Sequence, residues 1–229
     1  MTHYHFDIEQ GTPEWHAIRR GVLTTTAIKT LITPTGKLAD NDKVRAHVYE
    51  IAAQRINNRT DETFQSFDMM RGQLEEVRAR ELYALHYYPV KECGFVTNDR
   101  LGFLVGYSPD GLVGDECIIE IKSAKSRIQV ERIASGLVPN EHIAQIQTGL
   151  WVTGRLWCDF ISFANGMPMQ VIRVQADPAY HALIEQAAVM FEADVQRVIA
   201  EYREKSEGMP IAEYMEALGD GEIQGGEIE

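Results

Sequence analysis

A chain of 229 residues can bury one substantial core and is short for two full domains. Its composition, 45% hydrophobic and 24% charged, is that of an ordinary folded α/β protein and excludes a disordered or fibrous one. The formal charge of −12 excludes a surface coated with phosphate-binding cations, because non-specific affinity for nucleic acid comes mainly from Lys and Arg displacing counterions.

The opening MTHYHFDIEQ lacks the basic-then-apolar pattern of a signal peptide. No apolar run approaches the roughly 20 residues that span a bilayer, so the expectation is a cytoplasmic protein without membrane contact. His3 and His5 read as part of an unstructured N-terminal segment rather than as a metal pair. Thr12-Pro13-Glu14 is a helix start, a capping hydroxyl followed by Pro at the first helical position, and predicts a short helix over 15–20. Thr24, Thr25 and Thr26 can cap a second short helix over 27–32, stopped by the Pro34 and Gly36 turn. Val44, Val48, Ile51 and Ala52 predict an amphipathic helix over 43–57, and Met70, Leu74, Val77 and Leu85 another over 69–86. The pattern then shortens to strands at 90–96, 104–108 and 117–122, read as three strands of one sheet. A helix over 125–134 closed by Gly136 and a second helical segment closed by Gly154 follow. Strands are expected at 156–163 and 169–174. The long helix over 178–206 carries Leu183, Ala187, Met190, Phe191, Val195, Val198 and Ile199 on one side.

No repeat or linker divides the chain, so 1–218 reads as a single domain and 219–229 as a flexible acidic tail. Removing that tail's four acids, Asp220, Glu222, Glu227 and Glu229, from −12 leaves −8 for the body. The three cysteines, Cys93, Cys117 and Cys158, are widely spaced and flanked by apolar residues, which predicts reduced core thiols and cannot supply a four-cysteine cluster.

The densest chemical signal is Ser108-Pro109-Asp110-Gly111 followed, after eight intervening residues, by Glu120-Ile121-Lys122. Strand alternation sets Ile119 and Ile121 on one face and Ile118, Glu120 and Lys122 on the other, so a carboxylate and an ammonium project together. Burial among isoleucines requires such a charge to find a partner or a metal. Asp110, at the end of the preceding hairpin strand, can supply a second carboxylate. Phosphodiester hydrolysis needs this combination: hard oxygen ligands for Mg²⁺, and a cation or base that positions the attacking water. The alternative is a Pro-Asp-Gly turn beside a chance Glu-Lys pair.

Further residues carry a resemblance. Trp15-His16-Ala17-Ile18-Arg19-Arg20-Gly21-Val22 with Thr24 and Thr26, then Gly72 and Glu76, the Asp110 and Glu120-Ile121-Lys122 core, and Ala144-Gln145-Ile146-Gln147 with Trp151-Val152-Thr153 stand in the order of their counterparts in the YqaJ-type viral recombinase family. The chain resembles that family over roughly residues 15–153. The resemblance implies a restriction-endonuclease-like PD-(D/E)XK core, an α/β fold with a central mixed β-sheet flanked by helices. It implies a 5′-to-3′ exonuclease on linear double-stranded DNA that leaves 3′ single-stranded tails. It further implies a processive, ring-shaped homotrimer beside a single-strand annealing protein, with two Mg²⁺ ions replaceable by Mn²⁺. By the same resemblance Asp110, Glu120 and the Ile121 carbonyl bind metal and Lys122 activates water. Glu76 and Gln147 complete the site, and Arg19 with the Thr26 and Ser108 hydroxyls holds a terminal 5′-phosphate.

The residues taken alone leave other readings open. Arg19 reads equally as a surface helix cation, Glu76 as a solvated position among Glu75, Arg78 and Arg80, Gln147 as a polar link between helix and sheet, and Thr26 as a cap. Gln73 and Leu74 stand where a family relative has more strongly polar residues, and the acidic tail has no counterpart. An endonuclease or junction resolvase of the same superfamily, or a non-catalytic clamp on DNA ends, is the competing function. Intact circular DNA and an intact Asp110, Glu120, Lys122 set separate them.

Overall fold

β1 (Thr2–His5) opens the chain where the sequence reading expects no structure. Its alternation explains this: Tyr4 packs on the main core, and the Thr2 and Tyr4 hydroxyls donate to the Val152 and Thr153 carbonyls at 3.1 and 3.0 Å. The structure, a computed structural model, describes residues 1–60 and 66–212, so the tail assigned to 219–229 lies outside the described residues.

α1 (Pro13–Arg19) begins as its Thr-Pro start predicts, with the Thr12 hydroxyl accepting from Trp15 N. β2 (Leu23–Thr24) leads into α2 (Thr25–Leu31), where Thr24 occupies the N-cap without a side-chain bond. Asn41 caps α3 (Asp42–Asn57) and Ser66 caps α4 (Phe67–His86). The strands β3 (Phe95–Asn98), β4 (Val105–Tyr107), β5 (Gly111–Val113) and β6 (Cys117–Ser123) follow. α5 (Ser126–Ser135) and α6 (Asn140–Thr153) end at Gly136 and Gly154, whose φ of 64° and 71° is the left-handed cap that glycine adopts without cost. β7 (Trp157–Phe163), β8 (Gln170–Gln175) and α7 (Pro178–Lys205) complete the chain.

The strands form two mixed four-stranded sheets, ordered β1-β3-β4-β2 and β5-β6-β7-β8. The expectation of three neighbouring strands in one sheet is therefore corrected: β3 and β4 belong to the first sheet and β6 to the second. The change of sheet falls at Ser108-Pro109-Asp110, where proline has no N–H to extend a ladder. In the second sheet β6 runs antiparallel to β5 and parallel to β7, in central position.

The two faces of β6 serve two cores, as alternation requires. Ile118 joins the main core with α2, α3, α6 and α7, while Ile119 and Ile121 pack with Ala79 and Tyr83 of α4. The orientation of α4 differs from the sequence reading. Met70, Leu74, Val77 and Leu85 are exposed, and the inward face is Glu75, Ala79 and Tyr83. Ala79 lets the helix approach the sheet, and the Tyr83 hydroxyl finds Asp159 at 2.7 Å. On α7, Met190 likewise faces solvent, while Ile184 and Ala188 are buried. All three cysteines are buried free thiols.

Candidate active site

Asp110 lies where the chain crosses between the sheets. Continuing the β5–β6 register two steps beyond Gly111↔Ile119 sets Pro109 opposite Ile121, and the Ile121 N–H instead donates to Asp110 Oδ2 at 2.5 Å. This bond pins the carboxylate against the middle of β6. Glu120, one residue back on that strand, has no solvent exposure. Its Oε1 meets the Lys122 ammonium at 2.5 Å and its Oε2 accepts from the Tyr107 hydroxyl at 3.2 Å. Glu76 reaches the same group from α4, where Arg80 holds it at 2.8 Å. Arg80 also pairs with Glu92.

The electrostatics follow from this crowding. Burial raises the Asp110 carboxyl well above its usual 3.8, and the neighbouring Glu120 and Glu76 carboxylates push the same way. Burial also raises Glu76, against the pull of Arg80. Lys122 loses to burial but gains more from Glu120, Asp110 and Glu76, and stays charged above the ordinary lysine value. Even with Arg80 on Glu76, three ionised carboxylates against two cations leave negative charge uncompensated, and every available carboxylate donor is a hard oxygen. The set fits a divalent cation such as Mg²⁺. Among the described residues, no three His, Cys, Asp or Glu side chains close into a ready metal cage.

Beside the carboxylates opens a cleft of about 1480 Å³, lined by Glu76 and Asp110 at one part and by Trp15, Arg19 and Thr26 at another. Arg19 Nη1 donates to Ser108 Oγ at 2.6 Å, and its guanidinium lies 4.1 Å from the centre of the Trp15 ring. Trp15 Nε1 donates to the same hydroxyl at 3.0 Å and to the Gly94 carbonyl at 3.0 Å. Gly94 is needed there, since a Cβ would collide with the Ile8 carbonyl oxygen. Burial draws the Arg19 guanidinium down to about 10, so it remains a cation at neutral pH. Ser108 and Asp110 are two residues apart, at most about 7 Å along the chain.

The structure thus brings Asp110, Glu120, Ile121, Lys122 and Glu76 together, with Arg19 and Thr26 on the wall of the cleft that Asp110 and Glu76 line and Ser108 bonded to Arg19. Gln147 is engaged elsewhere. It is buried, its Nε2 donates to the Gln175 carbonyl at 2.8 Å and its Oε1 accepts from Asp177 N at 2.9 Å. Its amide ties α6 to the turn before α7 and is not free to complete the carboxylate cluster. Sequence reasoning gave no site role to Tyr107 or Arg80, and took Trp15 only as part of the family motif. Tyr107 carried the one available signal, standing three positions before Asp110 in a predicted strand.

Comparison with known proteins follows this geometry. The YqaJ-like viral recombinase domain family matches residues 14–156. An alkaline exonuclease (LHK-Exo) from Laribacter hongkongensis is 30% identical, with a TM-score of 0.77 over 87% of this chain and 100% of that one. The structure of LHK-Exo in complex with dAMP gives 0.76 at the same identity and coverage. A phage related exonuclease from Haemophilus somnus 129PT, 13% identical, has a TM-score of 0.56 over 80% of this chain and 97% of that one, a likeness of fold alone. Comparison with curated proteins returns no match.

Proposed function

The chain belongs to the YqaJ-like viral recombinase family, with a mixed α/β core of the PD-(D/E)XK kind, and from that premise we propose that it is a Mg²⁺-dependent exonuclease digesting linear duplex DNA from 5′ ends. Kinship with an alkaline exonuclease supports the coarser statement, a DNA exonuclease. The 3′ single-stranded tails so produced would serve a single-strand annealing protein. One observation carries the reading: Asp110 and Glu76, beside the Glu120–Lys122 pair, line the same cleft as Arg19, which is held by Ser108. An exonuclease needs both a hydrolytic centre and a stop for the strand end at short range.

Asp110, Glu120 and the Ile121 carbonyl would hold the cation, which when bound polarises the phosphodiester and stabilises the leaving oxygen. Lys122, with one N–H engaged by Glu120, has others to orient the attacking water. Arg19 and the Ser108 hydroxyl would hold the terminal phosphate, with Thr26 on the cleft wall. Glu76, paired with Arg80, adds a third carboxylate beside the site.

End-labelled linear duplex and covalently closed circles, each with Mg²⁺ and with a chelator, test this. The expected result is loss of the 5′ label first, intact circles and no reaction without metal. Lys122→Ala should remain folded and inert. Cleavage of circles would replace the exonuclease by an endonuclease, and earlier loss of the 3′ label would reverse the polarity.

A further inference from the structure

The far side of Glu120 is built as carefully as the near side. A carboxylate with no solvent exposure must satisfy both oxygens from within the protein. Lys122 serves Oε1, and the only hydrogen bond to Oε2 among those of the described residues comes from the Tyr107 hydroxyl, 3.2 Å away. Tyr107 belongs to β4, in the other sheet, and is itself fully buried. Its hydroxyl donates to the carboxylate.

Space for that phenol is provided by α6. A Cβ at Gly149 would stand 2.9 Å from Tyr107 Cζ, 3.0 Å from its Cε1 and 2.9 Å from Ile118 Cδ1. Glycine at this helical position lets the ring lie between helix and sheet with its hydroxyl aimed at Glu120. A phenylalanine would fill the same volume. What tyrosine adds is one hydroxyl, and its one hydrogen bond goes to the candidate catalytic carboxylate.

We propose that Tyr107 is a positioning residue for Glu120: its hydroxyl fixes the carboxylate so that Oε1 faces Lys122 and the cation, and Gly149 clears the room for it. This rests on the reading of Glu120 as a metal-holding residue. Partners behind a ligand typically alter metal affinity or activity about 10- to 100-fold when removed. Mn²⁺ binding to the metal-free protein, followed by electron paramagnetic resonance, reads the effect directly in wild type, Tyr107→Phe, Gly149→Ala and Glu120→Gln. Tyr107→Phe should weaken Mn²⁺ binding about tenfold and lower kcat at saturating metal while leaving KM for DNA unchanged. Gly149→Ala keeps the hydroxyl but displaces the ring, and should shift binding in the same direction. A filling role alone would lower the melting temperature without moving the Mn²⁺ constant. Wild-type Mn²⁺ affinity in both Tyr107→Phe and Gly149→Ala, with weakened binding in Glu120→Gln, overturns the positioning role and leaves the site intact. Wild-type affinity in Glu120→Gln overturns both.

Discussion

Arg19 and Lys122 are both cations withdrawn from water, and they differ in what surrounds them. Lys122 stands among Glu120, Asp110 and Glu76, whose charges outweigh its burial. No carboxylate among the described residues forms an ion pair with Arg19, and burial alone shifts it. Its contacts are the Ser108 hydroxyl and the Trp15 ring, which orient a guanidinium without neutralising it. An anion arriving in the cleft would be bound by a cation already in place, and a guanidinium matches phosphate bidentately. Arg19→Ala should therefore slow digestion of 5′-phosphorylated duplex by about 1.5–3 kcal/mol, roughly ten- to a hundredfold, and hardly alter the slower reaction on 5′-hydroxyl ends. Equal rates on the two ends in wild type, or equal slowing of both by the substitution, would return Arg19 to a structural role.

At the level of elements, what could be read in advance was whatever depends on local period. The alternation of β6 sorted Ile118 from Ile119 and Ile121 correctly, and the Thr12, Gly136 and Gly154 punctuation set helix ends close to their places. The phase of α4 was not legible, because its inward face is chosen by Ala79 and by the Tyr83–Asp159 bond, both defined only once the sheet exists. The hydrogen bonds of Gln147 were not legible for the same reason, its partners lying on β8 and the turn beyond. The buried polar group joining α5, α6 and β7 was equally hidden, and it has a pH consequence. Arg132 Nη2 donates to His142 Nε2 at 3.1 Å and Nη1 to Ser162 Oγ at 3.1 Å. Arginine only donates, so His142 accepts and is neutral. Burial first, then Lys122, Arg132 and Lys29, lower its pKa from 6.5 to about 3. The unfolded chain binds this proton and the native state does not. The group's stabilisation is complete above 6.5 and is lost as pH falls from there toward about 3, at about 1.4 kcal/mol per unit. His142→Gln keeps an acceptor for Arg132 and does not titrate. Urea unfolding at about pH 7 and about pH 5 should show wild type losing about 2 kcal/mol more than the variant. Equal losses would mean that His142 is protonated in the native state.

The whole molecule presents a harder problem, since a net charge of −12 opposes lasting contact with a polyanion. The cations near the cleft do not amount to a binding track: Arg80 is consumed by Glu76 and Glu92, which leaves Arg19 and few others. Enclosure would let such a chain stay on DNA where affinity alone would not. A closed C₃ ring supplies enclosure, and its heterologous interfaces need surface that the lone chain leaves uncovered. α4 offers such surface, with Phe67 88%, Leu74 72% and Leu85 77% exposed on one helix, more apolar side chain than a solitary helix face ordinarily shows to water. The prediction is a homotrimer at micromolar concentration that, once engaged, digests many nucleotides per encounter. Light scattering checks the mass. Digestion of a labelled duplex after addition of excess unlabelled DNA checks the enclosure, because a ring already threaded should continue on the labelled strand at undiminished rate. Salt separates enclosure from affinity as well: raising it should suppress loading far more than the progress of loaded enzyme, since only the first depends on unscreened charge. A monomer in solution, or digestion that stops as soon as competitor is added, would show that the acidic chain holds DNA by local contacts alone.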